Sequence, residues 1–269
     1  MKRALPWIVL VIVLALAGAW YWWQQQASPP PVTPAPVSQA PVAPLAPPAP
    51  DEPPKHPIEQ AKPDEPPPRE PAPGFAESNQ LIRDALLGAL GSDAVISFFN
   101  VDDYIRRTVA TVDNLPRQRA APRLWPVVPM AGVPVVTGTD AAATLDAANA
   151  ERYARFISLV QRMDTGKFVA MYVRLYPHFQ QAYADLGYPN RHFNDRLVEV
   201  IDHLLAAPDV QGPIALRKPW ILWEYADPKL ESLSAGQKVL VRVGPENAAK
   251  LKAKLRDIRR QITTADVKG

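Results

Sequence analysis

The densest gathering of reactive side chains in this sequence is His192, Asp195, Arg196, Glu199, Asp202 and His203. On a helix, Asp195, Glu199, Asp202 and His203 follow at steps of four, three and one, which lays them along one side. Carboxylates and an imidazole aligned in this way could converge on a divalent metal or on a proton in transit. The same spacing also serves a plainer purpose. Asp195, Arg196 and Glu199 can form ion pairs on a solvated face, with His203 neutral and hydrogen-bonded beside Leu204. A catalytic reading would rest on His203, Asp202, Glu199 and Asp195.

Two other groups could bind rather than react. Trp220, Trp223 and Tyr225 offer aromatic area that could stack on sugar rings. In an extended segment Trp223 and Tyr225 share one face and Trp220 lies on the other, so at least one side belongs to a core or an interface. Near the carboxyl end Lys250, Lys252, Lys254, Arg256, Arg259 and Arg260 face only Asp257. That basic side suits anionic lipid, acidic glycan or a partner, or else it is the solvated side of a docked helix. The expected interaction surface is therefore Trp220, Trp223, Tyr225, Lys250, Lys254 and Arg256.

The chain contains no Gly-x-Ser-x-Gly elbow, Ser-x-x-Lys, His-Glu-x-x-His or phosphate loop. It has no cysteine, which excludes disulfides, thiolate zinc sites and cysteine nucleophiles together. No cofactor or metal is expected. A net charge of +3, drawn mostly from one terminal helix, argues no case for nucleic acid.

The elements that must position these residues read as mainly helical. Leu81, Ala85, Leu86 and Leu90 share a helical face ended by Gly91, a second segment runs through Ile96 and Phe99, and a third covers Asp102 to Val112. From Leu115 to Gly138 five prolines exclude helix and predict an irregular, partly extended excursion packed on the domain. Asp146 then caps a helix with Tyr153, Phe156, Ile157, Val160 and Met163 inward, closed by Gly166. From Phe168 to Leu186 one helical phase continues through Pro177, which predicts a single kinked helix. A further helix has Leu197, Val200, Ile201 and Leu204 inward. Pro213 to Tyr225 reads as a short hairpin, with Arg217-Lys218-Pro219 dividing Ile214-Ala215-Leu216 from Trp220 to Tyr225. Ser234-Ala235-Gly236-Gln237 is a capping box, so Val239, Val241 and Val243 read as helix rather than strand. The last helix, Pro245 to about Ile262, buries Leu251, Leu255, Ile258 and Ile262.

The amino terminus reads differently. Residues 4–23 carry no charge and end on Trp20-Tyr21-Trp22-Trp23. Twenty helical residues span about 30 Å, the thickness of the hydrocarbon core, and aromatic residues suit the headgroup layer. A cleaved signal ending near Ala15-Leu16-Ala17 is the rival reading, but the apolar run continues past that site. Lys2 and Arg3 predict a cytoplasmic amino end and an exported domain. Residues 29–73 hold 19 of the 32 prolines, a composition that favours an extended polyproline spacer.

Several blocks carry a family resemblance. Leu175-Tyr176-Pro177, Phe179-Gln180-Gln181-Ala182-Tyr183, Leu186-Gly187-Tyr188-Pro189, Phe193-Asn194-Asp195-Arg196-Leu197, Ile201-Asp202-His203-Leu204-Leu205 and Ser234 to Lys238 resemble an uncharacterised proteobacterial family, domain-of-unknown-function family three-zero-one-four. Val109 to Pro116 and Arg123-Leu124-Trp125-Pro126 resemble it as well. The resemblance implies membrane-tethered envelope proteins with a proline-rich linker, and no activity or catalytic residues.

The expectation is a mainly α protein. It comprises a cytoplasmic stub and transmembrane anchor over 1–26, a disordered Pro-rich linker over 27–74, and a helical periplasmic domain with a small β-hairpin over 75–269. The expected location is a bacterial inner membrane, anchored through residues 4–23. The expected role is non-enzymatic binding of another envelope protein or of peptidoglycan, with a tethered hydrolase or metal-dependent enzyme built on residues 192–203 as the alternative.

Overall fold

A computed structural model of the chain describes residues 53–67, 72–139 and 142–263. The expectations for residues 4–23 and for the first half of the proline run lie outside the described residues. Among the described residues, no helix is long and apolar enough to cross a membrane.

The domain is mainly helical. Helix α1 covers Phe75–Leu90 and stops at Gly91, whose φ of 81° is the left-handed value that glycine adopts without strain. Helix α2 covers Ser92–Phe98 and α3 Tyr104–Asn114. The proline-rich stretch after α3 forms no α-helix: it makes a single 3-10 turn at Pro122–Leu124 and a bridge from Val127 to Phe99. It then enters a small antiparallel sheet through β1, Val136–Thr137, and β2, Ala143–Leu145. Strand β2 has no counterpart in the sequence reading.

Asp146 caps as expected, accepting from the Ala148 amide, but it first opens a 3-10 helix over Ala147–Tyr153. Helix α4 follows over Ala154–Arg162. Gly166 does not end that segment, because Asp164 accepts the Lys167 amide and so starts α5, Thr165–Asp185, one turn earlier. Gly166 lies in the first turn of α5, where a Cβ would stand 3.1 Å from the Glu65 amide nitrogen. Helix α5 runs unbroken through Pro177, as its periodicity requires.

Helix α6 spans Phe193–Leu205, and strands β3, Ile214–Arg217, and β4, Glu224–Tyr225, complete a sheet of order β1-β2-β3-β4. The strand expected from Trp220 onward pairs only at Leu216 with Tyr225 and Arg217 with Glu224. Residues 218–223 form a loop instead. Helix α7 is the single turn Pro228–Glu231. Helix α8, Ala235–Arg242, has the complete capping box of Ser234 and Gln237, and α9 spans Pro245–Ile262.

The main core joins α1, α3, α5, α6 and α9 through Ile82, Ile105, Val109, Leu175, Phe179, Tyr183, Phe193, Ile201 and Ile262. Phe193 organises its aromatic part, stacking on Phe179 at 5.8 Å and tilting against Tyr183 at 5.6 Å. Each such pair contributes about 0.5–1.5 kcal/mol beyond its burial. A second core lies between the sheet and α8, built from Ala143, Ile214, Leu216, Tyr225 and Val241.

Residues 53–67 are not a free spacer. They form a strap over the junction of α5, α6 and α9. Ile58 packs on the main core, and the Asp195 carboxylate accepts the Lys55 and His56 amides at 2.9 and 2.7 Å. Lys62 donates its amide to the Gln261 carbonyl and Asp64 its amide to the Gln261 side chain. Within the run a single 3-10 turn forms at Ile58–Gln60, closed by the Gln60 and Ala61 amides on the Pro57 and Ile58 carbonyls, while the Lys55, His56, Lys62 and Asp64 amides find partners on the helices. The packed domain therefore begins well before residue 75.

Candidate functional site

Helix α6 carries the polar cluster, and Asp195, Arg196, Asp202 and His203 are each engaged with another element. Asp195 holds the strap. Arg196 donates to Asp113 of α3, from Nε to Oδ1 at 3.1 Å and from Nη2 to the backbone carbonyl at 3.0 Å, and it pairs with Glu199. Asp113 is almost fully buried and also pairs with Arg117, so its charge is answered from two sides. Asp202 faces α9, where Arg259 grips it through two nitrogens. His203 turns to the start of α8, with Nε2 2.8 Å from Ser234 Oγ. The residues of that side, Asp195, Asp202 and His203, turn to three different elements, the strap, α9 and the start of α8, while Glu199 pairs with Arg196. Among the described residues, no three His, Asp or Glu side chains gather where they could hold a metal ion.

The Ser234–His203 contact has the chemistry of a nucleophile and its base. Its surroundings give it another role. Ser234 Oγ already accepts the Gln237 amide at 3.2 Å as the α8 cap, and the residue is only 6% exposed. Gln237 Nε2 donates to the His203 carbonyl, and the Gly236 amide donates to the Leu115 carbonyl. This is a joint between α3, α6 and α8. The carboxylate adjacent in sequence, Asp202, is occupied by Arg259, so it does not orient the imidazole as a triad would require.

The basic side of α9 is likewise divided. Lys254 Nζ donates to the Met163 carbonyl and to Thr165 Oγ1, closing the turn between α4 and α5. Lys252 is buried, with Nζ on the Ala207 carbonyl and Asp209. Arg260 bridges Asp64 of the strap and Asp257. Lys250 and Arg256 remain exposed.

The β3–β4 hairpin is different. Tyr225 is core, 3% exposed, with its hydroxyl donating to the Lys238 carbonyl at 3.1 Å and its amide to Glu231 at 2.9 Å. Burial pushes the Tyr225 hydroxyl above its ordinary pKa, against the opposing pull of Arg242. Burial also acts to raise the Glu231 pKa, but Lys238 and the Tyr225 amide outweigh it and hold the carboxyl below its usual range. The Glu231–Lys238 ion pair thus ties α7 and α8 beneath β4. Asn149, fully buried, adds a brace by accepting the Val135 amide and donating to the Arg242 carbonyl.

On this platform Arg217 and Glu224 form a cross-strand ion pair at 3.0 Å, and Lys218 Nζ lies 5.4 Å from the centre of the half-buried Trp223 ring. Beyond them Trp220, Ile221 and Leu222 are 88%, 84% and 77% exposed. Three consecutive large apolar side chains in water are unusual, whereas scattered single ones such as Ile96 need no explanation. Of the expected interaction surface, Trp220 stands fully out, Trp223 guards the base, and Tyr225 and Lys254 belong to the interior framework. Ile221 and Leu222 were not singled out in the sequence, because an alternating strand would have buried one of them.

A family model described as a protein of unknown function, DUF3014, matches residues 104–259. That span runs from the start of α3 almost to the end of α9 and includes the α6 cluster and the hairpin, but not the strap. No curated protein and no solved structure matches the chain.

Proposed function

The chain belongs to the DUF3014 family, proteins of unknown function, and from its own geometry we propose that it is a non-enzymatic interaction protein of the cell envelope. In this reading residues 4–23 anchor it in a bacterial inner membrane with the amino end cytoplasmic, the proline run spaces the domain from that membrane, and the periplasmic domain docks on another envelope component through the β3–β4 tip. One observation carries it: Trp220, Ile221 and Leu222 stand in water on a braced platform, while the residues available for catalysis are committed to holding elements together. A stable protein gains nothing in folding from presenting such a tip, so the tip is best explained by what covers it.

In-cell photocrosslinking tests this reading. A photoreactive residue at position 221 should give a defined adduct, and one at position 96, an equally apolar and similarly exposed site on α2, should not. Equal labelling from both positions would overturn the assignment of the docking surface. A reporter fused after Gly269 should be active only in its periplasm-dependent form, and cytoplasmic activity would sink the envelope reading.

A further inference from the structure

We propose that the β3–β4 tip inserts into the headgroup layer of an anionic lipid bilayer. The inference rests on the reading of the tip as the docking surface and names what it docks on. Shape is the first argument. Trp220, Ile221 and Leu222 occupy the turn of a hairpin rather than a strand face, so their side chains radiate from a narrow projection. A stable protein partner takes about 800 Å² from each side, and three side chains on a projection do not supply it. A bilayer surface accepts such a projection directly, because the interface holds tryptophan at headgroup depth and aliphatic side chains just beneath.

Charge is the second argument. Arg217 and Lys218 precede the tip; Arg217 is answered by Glu224 across the strands, which leaves the Lys218 ammonium as the positive charge beside the loop. Lys218 is held over Trp223, at the base of the loop, where an ammonium would meet lipid phosphate as the tip enters. Support is the third. Tyr225 is locked by two hydrogen bonds and Leu216 packs in the second core, so the loop cannot turn its apolar residues inward without dismantling β4. The anchor expected at residues 4–23 would complement such a contact, since a weak insertion becomes stable when it acts with a second membrane attachment.

The absence of cysteine makes the test site-specific. Full-length protein carrying Ile221→Cys is labelled with an environment-sensitive fluorophore and reconstituted into vesicles of phosphatidylcholine with a quarter phosphatidylglycerol. Ile96→Cys serves as the control. The label at 221 should shift to the blue and be quenched by nitroxide-bearing lipids, while the label at 96 stays water-like. In the 221-labelled protein, Lys218→Glu should weaken association of the tip with the vesicles, read from quenching, about thirtyfold, since reversing one charge at an anionic surface changes the interaction by about two charge steps. Trp220→Ser with Leu222→Ser should abolish it, with an unchanged melting temperature because these side chains are exposed. A label at 221 that stays water-like in these vesicles, or one quenched equally in pure phosphatidylcholine, would overturn the proposal. If the vesicle signal is missing and position 221 nevertheless crosslinks a protein in cells, the docking reading stands and the lipid assignment falls.

Discussion

Asn194→Ala should loosen the strap and the main core together, because this one amide joins three elements. Asn194 is fully buried at the start of α6. Its Nδ2 donates to the His56 carbonyl of the strap at 2.8 Å and to the Ile262 carbonyl at the end of α9 at 3.0 Å, and its Oδ1 accepts from the Tyr172 hydroxyl of α5 at 3.2 Å. Alanine removes all three bonds, each worth about 1 kcal/mol net. The Ile262 side is closed to water, since Ile262 is itself fully buried, so its carbonyl is stranded at a further cost of about 1–2 kcal/mol. The sum is about 4–5 kcal/mol, which for a domain of this size lowers the melting temperature by about 8–20 °C.

The check is denaturant unfolding followed by tryptophan fluorescence, paired with hydrogen exchange of the strap amides at Lys55, His56, Lys62 and Asp64. Asp195→Ala provides the contrast. It removes the acceptor for the Lys55 and His56 amides at a partly exposed site, so it should speed their exchange while costing only about 1–2 kcal/mol globally. Should Asn194→Ala cost less than about 1 kcal/mol with strap exchange unchanged, the buried amide is not the joint described here and the strap is held by something else.

Other outcomes follow from the same contacts. Hydrogen bonding to the Arg260 guanidinium holds the Asp64 carboxyl below its ordinary range, so this attachment is complete above about pH 4 and is lost as pH falls through the lowered value. Strap exchange at Lys62 and Asp64 should therefore rise in acid, and Asp64→Asn should remove that dependence. His203→Ala with Asp202→Asn should cost about 2–3 kcal/mol by freeing α8 and α9 from α6, with cellular function falling only in proportion to stability; complete loss of function at normal stability would revive the enzyme reading. Gly236→Val should destabilise by about 1–3 kcal/mol, because a Cβ there would meet Leu204 at 2.4 Å and Leu115 at 3.3 Å. Deleting residues 29–50 should impair function in cells, and a different proline-rich segment of equal length should restore it; equal performance of short and long chains at equal protein levels would refute the need for reach.

What could be read in the sequence was local. Helices α5, α6, α8 and α9 follow from periodicity and caps, and the Ser234–Gln237 box forms as its spacing demands. The refinements came from partners distant along the chain. Nothing near Gly166 says that the strap will cross it, and nothing near His56 says that Asn194, 138 positions away, will claim its carbonyl. The α6 cluster shows the same limit. Its helical face was correctly placed, but periodicity fixes only which side a residue leaves by, and the partners on α3, α8, α9 and the strap decide whether charges converge or separate. In the hairpin, Tyr225 anchors β4 at its last residue, which leaves Trp220, Ile221 and Leu222 too far out to pair. The expected divide at Arg217-Lys218-Pro219 lies too early: Arg217 is still paired with Glu224, and the ladder stops only beyond it, where Pro219 offers no amide.

The strap also changes what the spacer can do. Taken over its whole proline-rich length, residues 29–73, the run would extend about 140 Å in polyproline geometry. With residues 53–67 bound to the helices, the proposed spacer would end at residue 52, and its reach in the proposal would shorten by the length of the strap. Any pull along it reaches the domain first at Lys55 and His56, whose amides sit on Asp195, and then at the buried Asn194 and Gln261, so load passes into the main core at the junction of α5, α6 and α9. The hairpin tip rests on the second core, between the sheet and α8. In the proposed reading, tether and tip would load separate apolar clusters of one domain, so that an anchor could be strained without forcing open the platform that presents Trp220.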